Sequence, residues 1–145
     1  MNNQFPIALH ILGFLASRHG EPLTSEVMAD TYGTSPVVLR RVLAKLQRAG
    51  LVETRRGVHG GSTLARPAER INLRQAYEAV TDDPHLLQRH PDECGGVIAP
   101  VLARFVNVVM GDAEEALLQR LEAVTVAEMD LSVRPDISRA MRQEY

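Results

Sequence analysis

Apolar residues in the first third of the chain recur every three or four positions. Phe5, Ala8, Leu9, Ile11, Leu12 and Leu15 follow that spacing and predict an amphipathic helix over residues 5–18, ended by Gly20 and Pro22. A second helix is expected over residues 25–32, capped by Thr24, with Val27 and Met28 facing inward. Gly33-Thr34 reads as a short turn. Ser35 is then an N-cap, with Pro36 at the first helical position, where its missing N–H costs nothing. Leu39, Val42, Leu43 and Leu46 make an inward stripe at i, i+3, i+4 and i+7 of a third helix, over 36–49, which Gly50 stops. Two helices joined by a short glycine turn form a helix-turn-helix.

The period changes after Gly50. Residues 51–56 read as a strand, 57–61 as a tight tip and 62–65 as the returning strand. A helix followed by a two-stranded basic hairpin is the winged variant of the helix-turn-helix.

Beyond Thr81-Asp82-Asp83-Pro84 a polar stretch, 85–96, reads as a loop. From 97 to 110, eleven of fourteen residues are apolar, a run too short and too interrupted by Arg104 for a membrane span. A helix apolar nearly all round must be buried on several sides. A chain of 145 residues has little to surround it with, so a second copy is the expected cover. The expectation is a symmetric dimer joined by a helix from about 98 to 124, with Ile98, Leu102, Phe105, Val109, Leu117 and Leu121 at the interface and Leu118 continuing the stripe. Such a pair presents two heads to a palindromic site. The competing reading is an internal core helix in a monomer. Residues 125–129 look like a further short helix returning to cover the heads. The polar stretch 134–145 suggests no role.

The fold class is therefore mainly α with a small β-hairpin: a winged helix-turn-helix head and a long dimerisation helix. Its expected division is a DNA-binding domain over 1–81, a linker or sensor loop over 82–96, and the dimerisation helix with its C-terminal segment over 97–145.

Composition adds three points. Aromatic residues are 4% of the chain and hydrophobic residues 45%, so the core is aliphatic and suits packed helices. The net charge of −2 divides unevenly: residues 1–70 hold nine Arg/Lys against five Asp/Glu, and residues 71–145 hold seven against thirteen. A basic head on an acidic body can still steer DNA locally. The start has no basic n-region and no long apolar region, so a cytoplasmic protein without a membrane partner is expected.

The outward side of the third helix carries Val37, Arg41, Lys45 and Arg48. Arg41 suits a bidentate contact to guanine O6 and N7, and Val37 and Val38 suit thymine methyls. Lys45 and Arg48 are expected on phosphates, which position without reading sequence. In the wing, 55–62, Arg55, Arg56 and His59 suit phosphates or a narrow minor groove. Gly57, Gly60 and Gly61 are expected to allow positive φ and a close approach to the duplex. Duplex DNA is thus the expected partner and a homodimeric repressor the expected role. A winged helix acting through a partner protein is the alternative, which the basic face disfavours. Ser17, Ser25 and Ser35 lack His–Asp partners at a suggestive spacing, and no phosphate loop or paired acid site appears, so no enzyme is expected.

Gly50-Leu51-Val52, Arg56-Gly57, Gly60-Gly61, Leu64 and Ala65 together resemble the signature of the Rrf-two family of bacterial transcriptional regulators. Ile71-Asn72-Leu73 and Ala79-Val80 resemble that family's next helix. The likeness continues through Ala113-Glu114-Glu115-Ala116-Leu117 to the region of Thr125. The resemblance implies that Thr24, Ser35, Val37, Val38, Arg41 and Arg56 fall where the family touches its operator. His59 stands where many relatives carry another residue.

Several members of that family hold an iron–sulphur cluster on three cysteines between head and long helix. Such a cluster needs a set of thiolates, and this chain has one cysteine, Cys94. The expectation is no cluster and no metal, as in single-cysteine relatives, with a small-molecule or redox effector open. Cys94 has three readings. It is a candidate redox sensor, because a helix follows Gly95-Gly96 and a helix N-terminus lowers a thiol pKa, although Asp92 and Glu93 oppose this. It is one ligand of a loosely spaced metal site with His85 and His90. Or it packs as a small hydrophobe.

Overall fold

In the computed structural model residues 4–82 and 98–130 are described. Helix α1, Gln4–Ser17, buries Ile7, Ala8, Ile11, Leu12 and Leu15, the face set by its apolar spacing. Helix α2 is Ser25–Tyr32 and α3 is Pro36–Arg48. Each begins as its capping residue dictates: the Val27 N–H donates to Thr24 Oγ1 at 3.4 Å and the Val38 N–H to Ser35 Oγ at 3.3 Å. Leu39, Val42, Leu43 and Leu46 are all buried, so α3 turns the expected stripe inward.

Strands β1, Val52–Arg55, and β2, Gly61–Leu64, pair antiparallel from Val52↔Leu64 to Arg55↔Gly61. The hairpin is not free-standing. Leu23, just before α2, exchanges backbone hydrogen bonds with Ser62 at 3.0 and 2.7 Å, so the wing is laced to the turn that opens the helix-turn-helix. A 3-10 turn, Ala68–Arg70, leads into α4, Leu73–Val80. Asn72 and Gln75 form a reciprocal capping box at its start.

Helix α5, Ile98–Glu122, is the long element. Its end returns to the head: the Leu73 N–H donates to the Val124 carbonyl at 2.9 Å and the Val126 N–H to the Ile71 carbonyl at 2.8 Å. A 3-10 turn, Val126–Met129, then lies on α1, with Met129 Cε 3.6 Å from where a Gly13 Cβ would stand. Val126 joins the core of Ile11, Leu12, Leu39, Leu46 and Ile71. The short returning element expected over 125–129 does cover the head, as one 3-10 turn.

Two expectations change. Val27 is 51% exposed; only Met28 and Ala29 of α2 are buried. The stripe expected along α5 is two faces. At 3.6 residues per turn, Ile98, Leu102, Phe105 and Val109 share one side, and all are exposed. Leu117 and Leu121 are half-buried; Leu121 falls on the opposite side with the buried Ala103 and Glu114, and Leu117 at the edge of that side. Among the described residues no helix is long and apolar enough to cross a membrane. The expected loop beyond Asp82, with Cys94, His85 and His90, and the polar stretch 134–145 lie outside the described residues.

Candidate nucleic-acid interface

Residues at i, i+4, i+7 and i+11 of a helix lie above one another. Along α3 these are Val37, Arg41, Ala44 and Arg48, and all four are exposed. Val38, beside Val37 at the first turn, is also exposed. The outer face of α3 is therefore apolar at its N-terminus and cationic further along.

Pairing sorts the cations. The Arg40 guanidinium donates to Glu26 Oε1 at 3.0 Å and to Ser25 Oγ at 3.3 Å, tying α3 to α2. Lys45 does not stand where the outward stripe placed it. Its side chain is only 12% exposed, and its ammonium meets both Asp82 oxygens at 2.9 and 2.8 Å and the last carbonyl of α4, Val80, at 3.4 Å. Lys45 thus closes the joint between α3 and the end of α4. By contrast, among the described residues no acceptor meets Arg41, Arg48, Arg55 or Arg56, and all four are exposed.

Glu26 is the acid that pairs with Arg40 of α3. Its own backbone N–H, then the Ser25 hydroxyl and Arg40, hold its carboxyl below the usual carboxylate range. It stays ionised and committed to Arg40.

The wing geometry explains its glycines differently from the sequence. Gly57 and Gly61 have φ of +114° and +147°, as expected, but Gly60 does not lie at positive φ. A Cβ on Gly60 would overlap the Arg55 carbonyl oxygen, and one on Gly61 would stand 2.8 Å from the Leu23 carbonyl oxygen. The close approach is therefore internal: Gly60 and Gly61 let the wing fold on itself and dock on Leu23. Gly60 N–H donates to the Gly57 carbonyl at 2.9 Å, closing the tip. Arg56, Val58 and His59 project from that tip, Val58 with 97% exposure.

Thr24 and Ser35 hold helix N-termini through their side chains. Gln47, which was not anticipated, lines a groove of about 350 Å³ between α3 and the wing, together with Arg55 and Thr54. Its signal was available: Gln47 stands seven residues after Arg40, on the side of α3 next to the hairpin. Val58, an apolar residue at a turn, carries no sequence pattern that marks it.

A helix-turn-helix whose second helix bears an exposed basic stripe, followed by a hairpin laced to the first turn, is the architecture of a winged-helix regulator. Residues 1–130 match the Rrf2 family, described as an iron-dependent transcriptional regulator, and the chain belongs to that family. It is a transcriptional regulator and not an enzyme. It is 33% identical over 137 residues to the HTH-type transcriptional regulator NsrR of Shouchella clausii, covering 94% of this chain and 90% of that protein. YwnA of Bacillus subtilis is 36% identical over 90 residues, which is 62% of this chain and 65% of YwnA, just under two thirds of its length. Among solved structures, CymR, the global cysteine regulator of B. subtilis, superposes with a TM-score of 0.70 at 22% identity, covering 92% of this chain and 97% of that one. A transcriptional regulator from Lactobacillus plantarum gives 0.73 at 18% identity over the full length of both. Those two likenesses concern the fold.

The family description names iron, and the donor set here does not fit a cluster held by several thiolates. One cysteine is present in the whole chain, and among the described residues no group of three His, Cys, Asp or Glu is placed to hold a metal.

Proposed function

We propose that this regulator is a homodimeric repressor that binds a palindromic operator through α3 and the wing. The observation that carries the reading is the sorting of cations. Arg40 and Lys45 are spent on intramolecular acids, whereas Arg41, Arg48, Arg55 and Arg56 have no partner among the described residues. Unpaired, solvated guanidinium groups are the ones that replace counterions along a phosphate backbone.

In this reading Val37, Val38 and Arg41, near the N-terminus of α3, meet base edges, and Arg48 a phosphate. Arg55, Arg56, His59 and the Gly60 backbone lie along the wing against a neighbouring groove. Thr24 and Ser35 offer hydroxyls and helix N-termini to phosphates. The exposed side of α5, with Ile98, Leu102, Phe105 and Val109, is the seam for the second copy. The segment 82–96 with Cys94 joins this seam to the DNA-binding head, residues 1–81, and is the place for a signal.

Selection of bound duplexes from a random pool tests the reading. Inverted half-sites about one helical turn apart are expected. Arg41→Ala should change base preference at one position of each half-site, costing about 1–3 kcal/mol there, while Arg48→Ala weakens all sequences alike and lowers the salt slope by about one. Enrichment of no sequence, with no salt-dependent binding, would leave the protein-interaction alternative standing.

A further inference from the structure

A second concave site shares no lining residue with the groove between α3 and the wing. The end of α1, the chain leaving β2 and the turn after α5 enclose a cleft of about 620 Å³. That volume falls within the range of small-molecule sites, roughly 300–1,000 Å³. Leu15, Leu64 and Ala127 give it apolar wall. Two of its polar residues face each other: His19 Nε2 lies 3.8 Å from Asp130 Oδ2. The other two, Arg66 and Glu69, have no charged partner among the described residues although they stand three positions apart on the same rim.

We propose that this cleft binds a small zwitterion of the amino-acid class. Its carboxylate pairs with Arg66, its ammonium with Glu69, and its side chain lies against Leu15, Leu64 and Ala127. A cation and an anion with no charged partner among the described residues, beside an apolar wall, disfavour the simpler ligand classes. A plain anion would meet Glu69, and a plain cation would meet Arg66, each at a cost in like charge. A zwitterion satisfies both. The site also touches the DNA-binding apparatus: Leu64 ends β2, Arg66 is two residues on, and the intervening Ala65 N–H donates to the Leu51 carbonyl at 3.0 Å. A ligand there bridges the base of the wing to the segment that follows α5. On the reading of the wing as a DNA contact, the ligand would act as an effector.

Calorimetric titration of the full-length protein with each of the twenty L-amino acids tests the binding without DNA, so its outcome is separable from that of the operator reading. Saturable binding of at least one amino acid with an apolar side chain is expected, with a thermal midpoint that rises with its concentration. Arg66→Gln and Glu69→Gln should each weaken it tenfold or more, and removal of either ligand charge, as the methyl ester or the N-acetyl derivative, should do the same. Absence of binding by all twenty overturns the proposal. So does affinity unchanged in both variants, or equal affinity for the derivatives lacking one charge.

Discussion

Gly61 fixes the wing to the head at the scale of one residue. Its φ of +147° lies where side chains strain the backbone, and any Cβ there would press on Leu23. Gly61→Ala should therefore cost about 1–3 kcal/mol through strain alone. The loss should centre on the pairing of Leu23 with Ser62 and leave the buried helical core in place. Urea unfolding measures the cost. Limited proteolysis checks the location, since cleavage should appear at Arg55, the last paired residue of β1. A variant as stable and as resistant as the parent would show that the wing does not depend on this contact. Val58 makes the complementary point. It supports nothing in the fold, so Val58→Ser should leave stability within about 0.5 kcal/mol. Any change in DNA affinity would then report the contact itself.

Among elements, two ion pairs hold α3 in place, and they differ in how well the sequence announces them. Lys45 follows the period of the outward residues, and only the arrival of Asp82, thirty-seven positions later, turns it into a joint. That contact is long-range and leaves no local mark. Lys45→Met should cost about 1 kcal/mol at most, because Asp82 is solvated, and should leave the salt slope of DNA binding unchanged. A slope lowered by one would return Lys45 to the phosphates.

The Arg40–Glu26 pair has a pH signature. The Glu26 carboxyl is held below its ordinary 4.5, so the folded state favours its charged form. The contacts that favour the carboxylate, its own backbone N–H first, then Ser25 and Arg40, therefore contribute fully above about pH 4.5 and are lost as pH falls through the lowered pKa. Thermal midpoints of Glu26→Gln and the parent should differ slightly at pH 7, and the gap should close as pH falls through the lowered pKa. A gap that does not shrink on acidification would mean that ionised Glu26 is not its source.

The inward stripe of α3 and the N-caps Thr24 and Ser35 were legible because they rest on contacts within one turn. Val27 was not, since an eight-residue helix with two buried positions does not decide which of two adjacent apolar residues turns inward. The wing glycines were legible as a turn, but their crowding against Arg55 and Leu23 depends on pairing across the hairpin and beyond it.

For the whole molecule, α5 carries two apolar faces that the sequence merged into one. Uniform hydrophobicity shows that a helix is covered, not by what, and here the half-buried Leu117 and Leu121 share a side with Ala103 while Phe105 is 66% exposed on the other. Burying one such exposed side chain contributes about 1.5–3 kcal/mol, so a face of four to six of them is enough to drive association. The faces should separate by mutation. If the proposed dimer uses the exposed face, Phe105→Asp or Leu102→Asp should yield a monomer by sedimentation equilibrium, with the thermal stability of the head largely kept. Leu121→Asp should lower that stability and leave association in place. A monomer that still folds should bind a single half-site weakly and lose roughly 10²–10⁴-fold on the full palindrome, the factor by which two linked heads exceed one. If Phe105→Asp remains a dimer, the seam lies elsewhere. If Leu121→Asp dissociates it without destabilising the head, the two faces have been assigned the wrong way round.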